Sequence, residues 1–232
     1  MDNSFFSGSE RRAQRMATRV SENTFVSNTT YNMIMGGVIL YGLILTALLA
    51  DTVGLQIVAR IGVTPFIILY MVMVIAGSII SNKSDKPLIS FLGYNMIVLP
   101  LGCLVSLAVY IYGGIGSDVV TWALYYTALI TVIMMISAIL FPGFFSKIGG
   151  FLFVALVGIL FVEILSSFFG GNRSSFSLIT AAIFSLYIGY DFYRSQQFPK
   201  TVDNAIDCAA DIYLDIINLF LRILSLLSRE RR

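Results

Sequence analysis

The chain has 232 residues, of which 57% are hydrophobic and 12% charged, about half the charged share of an average soluble domain. Its 15 lysines and arginines against 13 acids leave a net charge of +2, with no basic, aromatic-interleaved stretch of the kind that tracks nucleic acid. Histidine is absent, which excludes the usual zinc sites and the Ser-His-Asp, Cys-His and H-E-x-x-H chemistries.

The first thirty residues are polar, carry Arg11, Arg12, Arg15 and Arg19, and have no apolar h-region. They read as a flexible basic arm (1–30), not as a cleaved signal peptide. The remainder (31–232) reads as a single transmembrane domain, whose first helix is expected to serve as an uncleaved insertion signal. Seven apolar segments stand out, near Tyr31–Ala50, Val63–Ser81, Leu88–Tyr112, Val119–Phe141, Ile148–Phe169, Phe176–Arg194 and Ala205–Ser228. Each approaches the ~20 residues that cross a ~30 Å hydrocarbon core. The connectors are short and rich in turn-forming residues: Asn82 to Pro87, Gly113 to Asp118, Pro142-Gly143, and Gly170-Gly171-Asn172. Loops this short make neighbouring helices antiparallel. Cys103 and Cys208 fall inside apolar segments and read as buried free thiols.

Orientation follows from lysine and arginine. With the N-terminus on one side, that side holds Arg11, Arg12, Arg15, Arg19, Lys83, Lys86, Lys147, Arg194 and Lys200, and the other holds Arg60 and Arg173. The bias places the N-terminus in the cytoplasm. The terminal Arg229-Glu230-Arg231-Arg232 opposes it, because seven crossings put that end outside. A 24-residue seventh segment spans ~36 Å, so a full crossing is expected.

Segments one to six carry almost no charge within them, apart from Glu163 in the fifth and Asp191 late in the sixth. The seventh carries Asp207, Asp211, Asp215 and Arg222, with Asn204 and Asn218. One intramembrane aspartate costs roughly 2.5–3.5 kcal/mol on insertion scales, so this helix is not suited to bare lipid. Residues 204, 207, 211, 215, 218 and 222 advance by three or four and fall within an arc of about 80°, a single polar stripe. An interfacial amphipathic helix has such a stripe too, but its polar face is usually basic. The acidic stripe predicts a helix at the centre of a bundle, with the other six around it.

Asp191 precedes Pro199 by eight residues and Asp215 follows Ala205 by ten, so both lie roughly 12–15 Å inward from the same turn. Two carboxylates at one depth on successive helices can meet and share a proton, since like charges in contact push one of the two toward its neutral form. Without histidine, such a pair is the best candidate for a response near neutral pH.

At these residues the chain resembles the Bax inhibitor-1 (transmembrane Bax inhibitor motif) family. The resemblance rests on Ser185-Leu186-Tyr187-Ile188-Gly189-Tyr190-Asp191 in the sixth segment and Ile212-Tyr213-Leu214-Asp215-Ile216-Ile217-Asn218-Leu219-Phe220 in the seventh. It implies an all-α fold of seven transmembrane helices, six wrapped around a central C-terminal one, and a paired-aspartate pH sensor governing a calcium leak. Carried over, the sensor and gate are Asp191 and Asp215, which also make the weak calcium site. Asp207, Asp211, Asn218 and Glu163 are candidates for the ion path. Bacterial relatives can carry an arginine-rich latch at the end of the second helix. Here that end reads Ser81-Asn82-Lys83-Ser84-Asp85-Lys86, leaving Lys83, Lys86 or Arg222 as substitutes without the same fork at the lysines.

Calcium takes six to eight hard oxygen ligands, and a leak needs weak sites; spaced carboxylates suit both, whereas no EF-hand loop is present. The alternatives are a non-conducting regulator acting through membrane-protein partners, and an intramembrane aspartyl protease. Tyr190-Asp191 matches one protease element, but no Gly-x-Gly-Asp follows it. The basic bias and the absence of organellar targeting place the chain in the lipid bilayer of a bacterial plasma membrane.

Overall fold

The computed structural model describes residues 25–230 except 52, 85 and 170–172. Residues 1–24 of the expected basic arm and the terminal Arg231-Arg232 lie outside the described residues. Eight helices follow in order: α1 Asn28–Asp51, α2 Gly54–Ile61, α3 Val63–Lys83, α4 Pro87–Ile111, α5 Asp118–Leu140, α6 Pro142–Phe169, α7 Arg173–Ser195 and α8 Val202–Glu230. Each of the seven expected segments is a helix.

Local chemistry sets the ends. Pro87 opens α4 and Pro142 opens α6, first-turn positions where a missing N–H costs nothing. Because Pro142 starts a helix, the α5–α6 connector shrinks to Phe141, and α6 begins six residues before the apolar pattern suggests. Ser117 caps α5, its side chain accepting from the Val120 N–H, and the Thr201 hydroxyl accepts from the Asn204 N–H at 3.1 Å at the start of α8. The short helix α2 is not evident from hydropathy, being too short to cross a bilayer. It is tucked against α4, with Val58 buried beside Phe66 and Cys103. Gly62, at φ 90°, turns the chain from α2 into α3, a left-handed conformation that favours glycine.

Among the described residues six helices are long and apolar enough to cross a membrane: α1, α3, α4, α5, α6 and α7. Their outward faces are lined by exposed Leu, Ile, Val and Phe, such as Ile68, Val72, Val132, Phe151 and Val154, as a protein dissolved in hydrocarbon requires. α8 is different. Ala205 to Ala210 are all buried, as are Ile212, Tyr213, Leu219 and Leu224, so this helix is the core of the bundle.

The six surround α8 in two tiers. α1, α4, α5 and α7 pack directly along it, while α3 packs on α4 and α6 on α7. Burial agrees: 56% of the α4 span is buried, against 11% for α3 and for α6. Gly77 of α3 and Gly93 of α4 let two backbones meet across the tiers, since a Cβ on either would come within 2.6–2.7 Å of the other's carbonyl oxygen. Tyrosines pin the inner tier to α8. Tyr213 shares a 2.6 Å hydrogen bond with Thr46, and Tyr94, edge-on to Tyr213, donates to the Val38 carbonyl at 2.9 Å.

The helix ends alternate as short loops demand. Tyr31 near the start of α1 donates to the Ser195 carbonyl at the end of α7. Phe25 bridges Thr201, with the Val26 N–H bonded to the Lys200 carbonyl at 2.8 Å. The beginnings of α1 and α8 and the end of α7 thus share one side of the bundle.

Candidate functional site

The polar stripe of α8 meets the rest of the bundle at three levels. At its N-terminal mouth, Ser90 of α4 donates to Asp203 at 2.7 Å, and Ser81 at the end of α3 donates to Asp207. Both acids are buried, Asp207 to 3% exposure. Two turns deeper, Asp215 and Asp191 are hydrogen-bonded carboxyl to carboxyl, with Asp211 of α8 next to Asp215. Tyr187 of α7 lies beside both members of the pair. The other oxygen of Asp215, Oδ2, is buried without a hydrogen-bond partner. Two turns further, Arg222 forks onto Glu163 of α6, with Nη1–Oε1 at 2.7 Å and Nη2–Oε2 at 2.9 Å. Thr180 of α7 adds a 3.0 Å bond to the same carboxylate.

Steps of eight and seven residues separate 207, 215 and 222, so the three levels are ~12 and ~10.5 Å apart along the helix. α3 and α6, which pack mainly on α4 and α7, still reach α8 through polar side chains, Ser81 and Glu163. Such links satisfy charges that hydrocarbon does not.

Asp191 and Asp215 are brought together. Asp207 sits at the mouth, held by Ser81, and Asp211 lies between the mouth and the pair. Asn218 turns its amide back to the Leu214 carbonyl of its own helix at 2.8 Å. Glu163 and Arg222 are joined to each other. Lys86 is exposed just before the start of α4, and the Lys83 side chain lies outside the described residues. At the end of α3, a serine hydroxyl makes the contact with α8.

Asp203, Ser81 and Ser90 belong to the site without any sequence signal of their own. The available clue is the stripe itself, since a buried helix with acids in its first turns requires donors on whatever covers it. Beside this mouth, the Lys200 ammonium donates to the Ser195 and Gln196 carbonyls at 3.1 and 2.9 Å. It also rests 4.4 Å above the Tyr31 ring. Burial pulls Lys200 below its ordinary value, and nearby Cys208 opposes that.

Among the described residues no three His, Cys, Asp or Glu side chains are gathered so as to hold a metal ion. The carboxylates are strung out in a column, an arrangement that offers a cation successive oxygens without a cage.

Comparison with known proteins agrees with this architecture. The family model described as "Inhibitor of apoptosis-promoting Bax1" matches residues 22–232. A protein of Helicobacter pylori strain J99, named only as uncharacterized, is 29% identical over 149 residues, covering 63% of this chain and 64% of its own length. The chain therefore spans a little under two thirds of that relative. Protein LIFEGUARD 3 of Arabidopsis thaliana is 34% identical over 90 residues, 38% of this chain and 36% of its own. Protein LIFEGUARD 1 of the same plant is 34% identical over 86 residues, 36% and 37% respectively. With a family match running over nearly its whole length, the chain belongs to the Bax inhibitor-1 family.

Proposed function

We propose that this protein is a proton-regulated cation leak, with calcium as its ion and the Asp191–Asp215 pair as its gate. The observation that carries the reading is the hydrogen bond between those two carboxyls at the centre of the bundle. Two carboxyl groups bond to each other only when at least one holds a proton. The singly protonated pair therefore ties α7 to α8, the most extensively packed helix pair among the described residues. Losing that proton sets two like charges against each other. Gaining a second removes the charged acceptor that makes the bond strong. Either change loosens α8 from α7.

The column Asp203, Asp207, Asp211 and Asp215 supplies hard oxygens at one-turn intervals, the ligand type calcium prefers. Conduction requires that no single stop be deep, and a column of separate carboxylates meets that requirement. The N-terminus faces the cytoplasm of a bacterial plasma membrane in this reading. It is supported by the excess of lysine and arginine on the side shared by the starts of α1 and α8.

The test is calcium influx into liposomes loaded with an indicator, from pH 5 to 8, for wild type, Asp191→Asn and Asp215→Asn. Influx that varies with pH in wild type and becomes flat in either variant supports the gate. No protein-dependent influx at any pH removes the leak and leaves a non-conducting regulator of membrane partners.

A further inference from the structure

We infer that the groove between α1 and α5 is a binding site for one acyl chain of a bilayer phospholipid, laid along the helix that carries Asp215. The site does not depend on whether α8 passes ions.

α1 and α5 each pack along α8 and leave a gap between them. Small residues widen it: Gly36 and Ala47 on α1 and Ala128 on α5. The cavity holds about 450 Å³, within the range of small-ligand sites. Its floor is Ile216, Ile217 and Phe220 of α8, and Ile216 follows Asp215 directly.

Among the described residues no charged side chain lines the groove, and its threonine hydroxyls are taken up or covered. Thr46 shares its hydroxyl with Tyr213, Thr127 donates to the Ala123 carbonyl, and the Thr131 oxygen is unpaired but covered. A wall of this kind gives water, an ion or a headgroup too few partners to stay. It suits hydrocarbon.

Two further observations identify that hydrocarbon as the bilayer's own. The rim is continuous with the lipid-facing surface, since Leu40, Leu124 and Val132 both line the groove and are exposed. The groove also has the length of a chain. Its lining runs from Gly36 to Ala50 on α1 and from Val120 to Met135 on α5, ~21 Å of helix, whereas a chain from one leaflet covers about half of the ~30 Å core. Ile115, in the α4–α5 connector, lines one end; the other end stops inside the helices. The chain therefore comes from the leaflet at the α4–α5 connector, opposite the side where α1 and α8 begin. A second copy of the protein would have to insert a helix 10–12 Å across, and about 450 Å³ spread over this length is narrower. A chain seated here props α1 and α5 apart and touches α8 one residue from Asp215.

The experiment reconstitutes the full wild-type chain in phosphatidylcholine vesicles that contain a small share of phosphatidylcholine with a photoreactive diazirine on one acyl chain. Irradiation and peptide mapping read where that chain lay. Adducts on Ile216, Ile217 or Phe220 are expected, beside those on lipid-facing Val72 and Phe151. Ala47→Phe and Ala128→Phe together fill the groove from exposed positions. In that variant the α8 adducts should fall about fivefold or more once the space is occupied, while those on Val72 and Phe151 keep their wild-type level and show that the protein is inserted. Should the variant not insert, the wild-type map decides alone. An unlabelled α8 in wild type overturns the site, as does α8 labelling that is unchanged in the filled variant. An unlabelled α8 together with a disulfide-linked dimer through Leu40→Cys at the rim overturns it in favour of a second copy.

Discussion

The two ends of α8 handle charge in opposite ways. At the N-terminal mouth two acids accept from serine hydroxyls and are almost completely buried. At the other end a base is held by an acid, with side chains 25% and 21% exposed. The outer link joins full charges in a fixed bidentate fork and needs no exchange of partners. At the mouth the hydroxyls that reach the acids come from two other helices, α3 and α4. Between them lies the one level where like meets like, and where a proton is required to make the contact. A single stripe with one periodicity thus contains a hydroxyl-bonded end, a carboxyl-paired centre and an anchored end.

The titratable centre carries the largest expected effect. Asn at 215 can donate its amide to Asp191 and imitate the singly protonated pair, so Asp215→Asn should stay closed and lose its pH dependence. Asp215→Ala removes the bond and should leak at every pH, about tenfold above wild type at the pH where wild type is most closed. Liposome influx measured on both variants separates the two. Equal behaviour of Asn and Ala would mean that the hydrogen bond is not what holds the gate.

The anchored end should matter for stability more than for flux. Arg222→Met removes the fork from the Glu163 carboxylate, at a cost of about 2 kcal/mol, read as a lower melting temperature in detergent. Glu163→Gln keeps the Thr180 bond and should cost less. A double-mutant cycle over the two positions should return a coupling of about 1–2 kcal/mol. A coupling near zero would make the fork incidental.

Six of the seven segments are legible in the sequence because hydropathy over twenty residues depends on composition alone. The stripe is legible because acids at three- and four-residue spacing leave a mark that no lipid-facing helix has. Cross-helix partners are not. Ser81 and Ser90 are ordinary residues of apolar helices until the fold sets them opposite Asp207 and Asp203. Glu163 and Arg222 are both conspicuous, yet position along the chain assigns them to an ion path and a latch and does not join them. Their opposite charges within apolar segments are the available signal, since hydrocarbon favours pairing them. α2 escapes notice because eight residues are too few to span a bilayer, although Leu55, Val58 and Ile61 recur at helical spacing. The extent of α6 is hidden because a proline-glycine pair reads as a turn, although proline at a first helical position is equally at home.

A smaller effect is expected where α8 meets α1. Tyr213→Phe removes one buried hydrogen bond to Thr46 and leaves that hydroxyl to find another acceptor, for about 1 kcal/mol. The loss should appear in thermal unfolding, while the pH profile of influx stays in place. A shifted profile would tie the α1 contact to the gate.

The smallest effect should come from Asn218. It lies on the same stripe as Asp215, and spacing alone groups it with the ion path, but its amide is satisfied by the Leu214 carbonyl one turn earlier in α8. Alanine there loses a local bond that competes weakly with the helix and gains helix propensity. Asn218→Ala should therefore change stability by less than about 0.5 kcal/mol and leave influx unaltered from pH 5 to 8. A reduction in influx with stability unchanged would put Asn218 on the path and extend the conducting column a turn beyond the pair. Unaltered influx would confine that column to the segment from Asp203 to Asp215.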